Sequence, residues 1–391
     1  MSLALALSIL LSTSQAPVNT RKPLPRVASQ PLKSIPEHAR RLAAEAREAE
    51  ARGDWQTAEQ GYRKALEHAP GWAEVLVNLG VVYNRQGKTE DAIGAFKQAA
   101  QRDSRLIAAP LNLGVTFFRA SQYDAALLPL RRVIQLEPRN TQARQLIALS
   151  LIALERFRDA AVELERLRAA KPGDPALLLA LGQAYLRLKL YDKAAARFEE
   201  LARMTPDDAK AHRLLGEALD NSYKTERAII AFRRAIEVDP GLAETHYALG
   251  FSLLKKGETE QAAEEFQREL GLNPGFMLAR YQLGKIYLDS GRIDEAVAAL
   301  EKSVEEVSDF RPALEALGRA LLKKGDPSRA IVVLERAVRI DAEWMDARYQ
   351  LGRAYAAAGR REEAKREFAA AQRLSQQQRK RLEERVTQKK R

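Results

Sequence analysis

Apolar positions along this chain return every three or four residues, the beat of an amphipathic helix, and the whole pattern then returns every 34 residues. Between Pro175 and Asp208, Leu181, Tyr185, Ala194 and Phe198 stripe two such segments, with a break near Lys189–Tyr191 and Pro206 closing the second. The spacing predicts a helical hairpin. Gly182 and Ala194 are small where its two helices must cross closely, because a larger side chain would push the backbones apart. Leu181, Tyr185 and Phe198 are bulky where the space between helices must be filled to crystal-like density. Pro206 has no N–H to continue a helix and punctuates the turn into the next copy. Neither helix could bury its stripe alone, so the hairpin requires neighbours.

The copies are present. Glycine stands at 80, 114, 182, 216, 250, 284, 318 and 352, with Ala46 and Ala148 at the remaining two places. Alanine holds the second crossing throughout, from Ala58 to Ala364, and a bulky residue follows four positions later, from Tyr62 to Phe368. Helix-ending prolines stand at 70, 138, 172, 206, 240 and 274, replaced by Ser104, Ser308 and Ala342 elsewhere. Ten units therefore start at 39, 73, 107, 141, 175, 209, 243, 277, 311 and 345 and cover 39–378. The order L-G-x-x-Y, A-x-x-x-F, P resembles the tetratricopeptide repeat family. The resemblance implies an all-α, right-handed superhelical solenoid of about ten hairpins, with a C-terminal capping helix.

Some units depart from the pattern. The first carries Glu45 and Ala49 where Leu and Tyr are expected, the polar outer helix of a capping repeat. Pro129 lies inside the second helix of the third unit and predicts a kink. Glu269 occupies a place of small packing residues in the seventh, so its carboxylate must find a partner or reach the surface. Asp326-Pro327 in the ninth is a helix start, with an N-cap and then proline at the first helical position.

The two ends differ from the array. Residues 1–16 hold the apolar run Leu3–Leu11 followed by small and polar residues, too short to span a bilayer and suited to a secretory signal peptide cut near Ala16 or Ser14. No Lys or Arg precedes the run and Pro17 would follow a cut after Ala16, which leaves a cytoplasmic location as the alternative to an exported, periplasmic or secreted one. Residues 17–38 form a proline-rich basic linker. After the array, 379–391 is a basic cap or tail in which Leu382 and Val386 share a helical face amid Arg and Lys.

Composition narrows the function. The absence of cysteine excludes disulfides, thiolate catalysis and Cys-ligated zinc. The net charge of +12 admits nucleic acid, acidic proteins or an anionic surface as partners, although Arg-rich solvated helix faces account for it equally simply. The four histidines, His38, His68, His212 and His246, lack the carboxylate spacing of a metal site, although His212 and His246 hold the same place in adjacent units. No catalytic or nucleotide-binding motif is present, and the repeat leaves no room for a catalytic domain. No enzyme activity, cofactor, metal or small-molecule substrate is expected.

What remains is recognition of a protein or peptide. The family resemblance implies that first helices line a concave groove through the second, fifth, ninth, twelfth and thirteenth places of each unit. In units two to five these places include Val77, Val81, Leu111, Val115, Phe118, Leu149, Ile152, Leu179 and Leu186, an apolar set. In units seven to ten they include Tyr247, Phe251, Lys255, Tyr281, Lys285, Arg319, Lys323, Tyr349 and Arg353, which combine aromatics with cations. Tyr and Arg are enriched in protein-binding hot spots. For the aliphatic residues, packing against the next unit is an equally good reading. The carboxylate clamp of chaperone-binding members is excluded, because no unit pairs Lys at its fifth place with Asn at its ninth. The expectation is a non-catalytic scaffold that holds a protein segment. Anionic-surface or nucleic-acid binding through the tail is the alternative, with nucleic acid the less favoured partner, and self-assembly is the third reading.

Overall fold

A computed structural model describes residues 35–389, which form twenty α-helices; no strand occurs among them. The expected signal peptide, most of the linker and the last two residues of the tail lie outside the described residues. The helices are α1 (Glu37–Ala51), α2 (Trp55–His68), α3 (Ala73–Arg85), α4 (Thr89–Arg102), α5 (Ala108–Arg119), α6 (Tyr123–Leu136), α7 (Thr141–Ala153), α8 (Phe157–Ala170), α9 (Pro175–Arg187) and α10 (Tyr191–Met204). They continue as α11 (Ala209–Asn221), α12 (Thr225–Val238), α13 (Thr245–Lys256), α14 (Thr259–Leu272), α15 (Met277–Asp289), α16 (Ile293–Glu306), α17 (Arg311–Lys324), α18 (Pro327–Ile340), α19 (Met345–Ala357) and α20 (Arg361–Lys389). The chain divides into two compact units, one reaching Pro206 and one beginning at Asp207. Within each, odd- and even-numbered helices pair as hairpins and each hairpin stacks on the next, a helical-repeat solenoid.

Eight of the ten hairpins are closed by the same lock, with Ala46 and Ala148 at the glycine's place in the first and fourth. A Cβ built on Gly182 would lie 2.4 Å from the ring of Phe198, and one on Gly318 would lie 2.4 Å from Leu334. Both partners are wholly buried, as are the alanines at the second crossing from Ala58 to Ala330. The glycine is therefore required by space, since the bulky residue of the second helix fills the site where its side chain would stand.

The turn inside each hairpin repeats as well. In the ninth hairpin the N–H of Asp326 donates to Leu321 O at 2.9 Å and Gly325 sits at φ 84°. This 6→1 closure of a helix end needs a left-handed residue at the position after the cap, usually glycine. Hairpins three to six place Ser121, Glu155, Lys189 and Tyr223 there instead, all at φ near 60°. Second helices stop two residues before each expected proline, and they stop at the same place, Arg102, Glu306 and Ile340, where serine or alanine replaces it. Termination is thus a property of the stacked turn, which proline reinforces. Asp54, Asn140, Asp174, Asp208 and Asp326 cap first turns through their side chains, the last as expected for Asp326-Pro327.

α6 extends from Tyr123 to Leu136 with Pro129 inside it. One expectation needs amendment. The last hairpin has no separate capping helix: α20 runs for 29 residues as one helix, where every other second helix has 14.

Candidate functional site

In the unit from Asp207 onward, the fifth, ninth and thirteenth places of first helices lie one turn apart on one face. On α13 these are Tyr247, Phe251 and Lys255. The Tyr247 ring stacks on Phe251 with centroids 6.3 Å apart and meets Phe266 at 5.7 Å and Phe276 edge-on at 5.1 Å. Lys255 lies over Phe251 at 5.1 Å and donates to Asp220 at 2.6 Å, whose other oxygen accepts from the buried Ser252 at 3.1 Å. On α15, Tyr281 meets Phe310 edge-on at 5.1 Å, and Lys285 lies over the Tyr281 ring at 5.6 Å. On α17, Arg319 stands 3.8 Å from Glu315, and Lys323 donates to Leu288 O at 3.2 Å. On α19, Tyr349 packs on Phe368 at 5.6 Å, and Arg353 donates to Gln350 at 3.1 Å.

The electrostatics follow from partial burial. Burial pushes the phenols of Tyr247 and Tyr281 above their ordinary value; a hydrogen bond with Gln282 opposes it at Tyr247, and the Glu315 charge adds to it at Tyr281. The Glu315 carboxyl is raised chiefly by burial; Arg319 and Lys285 oppose the shift and Asp346 adds to it. The face therefore holds neutral phenols and cations supported by carboxylates at its base. Phe251 is 37% exposed and Tyr349 51%, so aromatic surface remains open beside Lys285, Arg319 and Arg353. Such a surface offers ring faces, hydroxyl groups and charge-assisted donors, and can bind without reacting.

Sequence reading missed Glu315, although it holds the fifth place of the ninth unit. It also missed Phe276 and Phe310, which immediately precede α15 and α17 and back the two tyrosines. The apolar set of the other unit has a different fate. Val77 and Leu111 are buried, as are Phe118, Leu149 and Ile152, while Val81 and Val115 are half-buried. These side chains are mostly core. Asn112 is also occupied, its amide donating to Ala108 O at 2.8 Å.

The seventh hairpin answers the question posed by Glu269. Its carboxylate is wholly buried and accepts from the backbone N–H of Glu244 at 3.1 Å and of Tyr247 at 3.3 Å. The first helix starts two residues late, at Thr245, with Glu244 left-handed at φ 64°. The carboxylate thus takes up amides at this late helix start that have no partner within the helix. His246 pairs within the same hairpin with Glu265 at 2.6 Å. The rings of His38 and His68 meet at 4.9 Å, which the sequence does not suggest. Among the described residues no group of three ligands could hold a metal ion, and no helix is long and apolar enough to cross a membrane.

Two family profiles described as tetratricopeptide repeat match the chain, one at residues 117–176, 151–218 and 321–383, the other at 43–106 and 247–309. No curated protein matches the sequence. Among solved structures, "Structure of Naa15/Naa10 bound to HypK-THB" covers 86% of this chain and 63% of its own at TM-score 0.51 and 15% identity, a likeness of fold. "Crystal structure of MamA" covers 41% of this chain and 94% of its own at 28% identity and TM-score 0.40. "Crystal structure of YrrB: a TPR protein with an unusual peptide-binding site" covers 49% and 98% at 19% identity and TM-score 0.42.

Proposed function

Because the chain belongs to the tetratricopeptide-repeat family, a family of protein-interaction scaffolds, we propose that it is a non-catalytic adaptor that holds a segment of another protein along the first helices of hairpins seven to ten. The observation that carries this reading is the half-open ladder of Tyr247, Phe251, Tyr281 and Tyr349 with Lys285, Arg319 and Arg353 beside it. In a family whose first helices line a concave groove, these residues would offer a bound chain both ring surface and donors to its carbonyls and carboxylates. The partly buried rings lose little rotamer freedom on binding, which lowers the entropic cost of association.

Lysine-directed cross-linking of the full chain followed by mass spectrometry tests the proposal. The double variant Tyr247→Ala with Tyr281→Ala should keep its helical circular dichroism and lose the cross-linked proteins. An unchanged set of cross-links removes this face from the function. Export belongs to the same proposal and rests on the run Leu3–Leu11. Sequencing the N-terminus of the chain recovered from cells should show a cut near Ala16 or Ser14, and an intact Met1 would dismiss it.

A further inference from the structure

The charge of the chain is not spread evenly. Residues 37–374 hold 53 cations and 50 anions, whereas 375–391 hold seven cations and two anions. Within the array many of the charges are matched between neighbouring helices, as in Arg144–Glu163 at 2.6 Å, Arg348–Glu367 at 2.7 Å and Arg280–Glu306 at 2.8 Å. The C-terminal segment is therefore a basic element attached to a nearly neutral solenoid.

The structure adds what the sequence leaves open, namely the form in which this segment is presented. α20 does not end near residue 374, where the 14-residue length of the other second helices would stop it, but continues to Lys389. Those fifteen residues extend the helix by about 22 Å at 1.5 Å per residue. Every described side chain from Ser375 onward is exposed, so these described residues contribute nothing to the core. A step of 100° per residue sorts its positions. Places 379, 382, 385, 386 and 389 fall within one sector of roughly 120°, which holds Arg379, Leu382, Arg385, Val386 and Lys389. Glu383 and Glu384 both fall outside it.

We propose that this sector docks the protein on an anionic lipid surface, with the cations at 379, 385 and 389 meeting headgroup phosphates and positions 382 and 386 meeting the headgroup–acyl boundary. A plane can engage only one side of a helix, and here one sector holds three of the seven cations and both apolar positions, while Glu384 and Glu383, which accepts from Arg379 at 3.1 Å, fall outside it. Basic, weakly hydrophobic helices bind membranes in this manner, lying in the interface and not spanning it. A nucleic acid would draw on phosphate contacts alone and would use cations all round the helix, including Lys380 and Arg381, with no role for Leu382 and Val386.

The test is co-sedimentation of the full chain with mixed phosphatidylglycerol/phosphatidylcholine vesicles, with pure phosphatidylcholine vesicles as the neutral control. Binding should require the anionic lipid and weaken as salt rises, because screening shortens the reach of each charge. Arg379→Glu with Arg385→Glu should reduce partitioning by about tenfold or more, while Lys380→Glu with Arg381→Glu, an equal change in net charge, should reduce it no more than about threefold. Circular dichroism of both variants checks that the helix persists. Equal losses in the two variants would overturn the assignment of a face, as would absence of vesicle binding by the parent chain. Tighter binding to duplex DNA or RNA than to vesicles at the same salt would overturn the choice of partner.

Discussion

α7 and α13 are first helices of one repeat design, and they use the same places for opposite ends. Every residue of α7 from Leu146 to Ile152 is buried, including Leu149 at the ninth place, 1% exposed. In α13 the ninth place is Phe251, 37% exposed, with Lys255 one turn on. A helix that is apolar all round becomes core, and one that carries rings and cations on its outer stripe keeps that stripe at the surface. The lock between glycine and the bulky residue is the same in both units, so the difference is confined to side chains that the hairpin does not need for closure. Stability and recognition thus occupy separate places in the repeat.

Truncation should expose that separation most strongly. Leu149→Ala removes fully buried volume and should cost about 2–5 kcal/mol in chemical denaturation, whereas Phe251→Ala should cost about 1 kcal/mol or less. Equal losses would show that the two faces are alike. Next, Gly182→Ala and Gly318→Ala each overfill the lock and should cost about 1–3 kcal/mol in either unit. A much smaller cost in one unit would mean that its lock yields.

Tyr223 gives a smaller effect of opposite sign. It is 92% exposed and left-handed at a turn where six of the ten hairpins have glycine. Tyr223→Gly removes a left-handed penalty of about 1–2 kcal/mol and adds about 0.5–1 kcal/mol of unfolded-state freedom, so the thermal midpoint should rise slightly. A fall would mean that the exposed ring makes a stabilising contact.

Glu315 should show the smallest effect, as a slope. Its folded-state carboxyl is raised above the usual 4.5, so the folded chain holds more protons than the unfolded one between that value and the folded one. Stability contributed at this site is then present at low pH and lost as pH rises through that window. Glu315→Gln should flatten the dependence and leave the chain slightly more stable at neutral pH. An unchanged slope in pH-dependent denaturation would place the cause in other carboxylates.

Much of the architecture was legible because periodicity reports packing directly. Gly182 and Phe198 are spaced so that one must be small for the other to fit, and that pairing recurs at the 34-residue step. The candidate face was legible only in part. Tyr247, Tyr281 and Tyr349 stood out by residue type, but Val77 and Leu111 look identical in sequence whether they line a groove or fill a core. Phe276 and Phe310 stand 34 residues apart, but they were missed because they sit in the connections before α15 and α17, outside the helical stripes.

The sequence by itself determined the 34-residue step and which small and bulky residues cross, because these depend on spacing within a single repeat. Tertiary structure decided what neighbours settle. Glu269 found two backbone amides as partners because its hairpin's first helix starts two residues late, Tyr223 and Lys189 took left-handed turns that glycine serves elsewhere, and α20 continued past the array as one helix. Each of these outcomes depends on atoms brought together from different helices or on where a helix outlasts its partner, and local spacing carries no record of either.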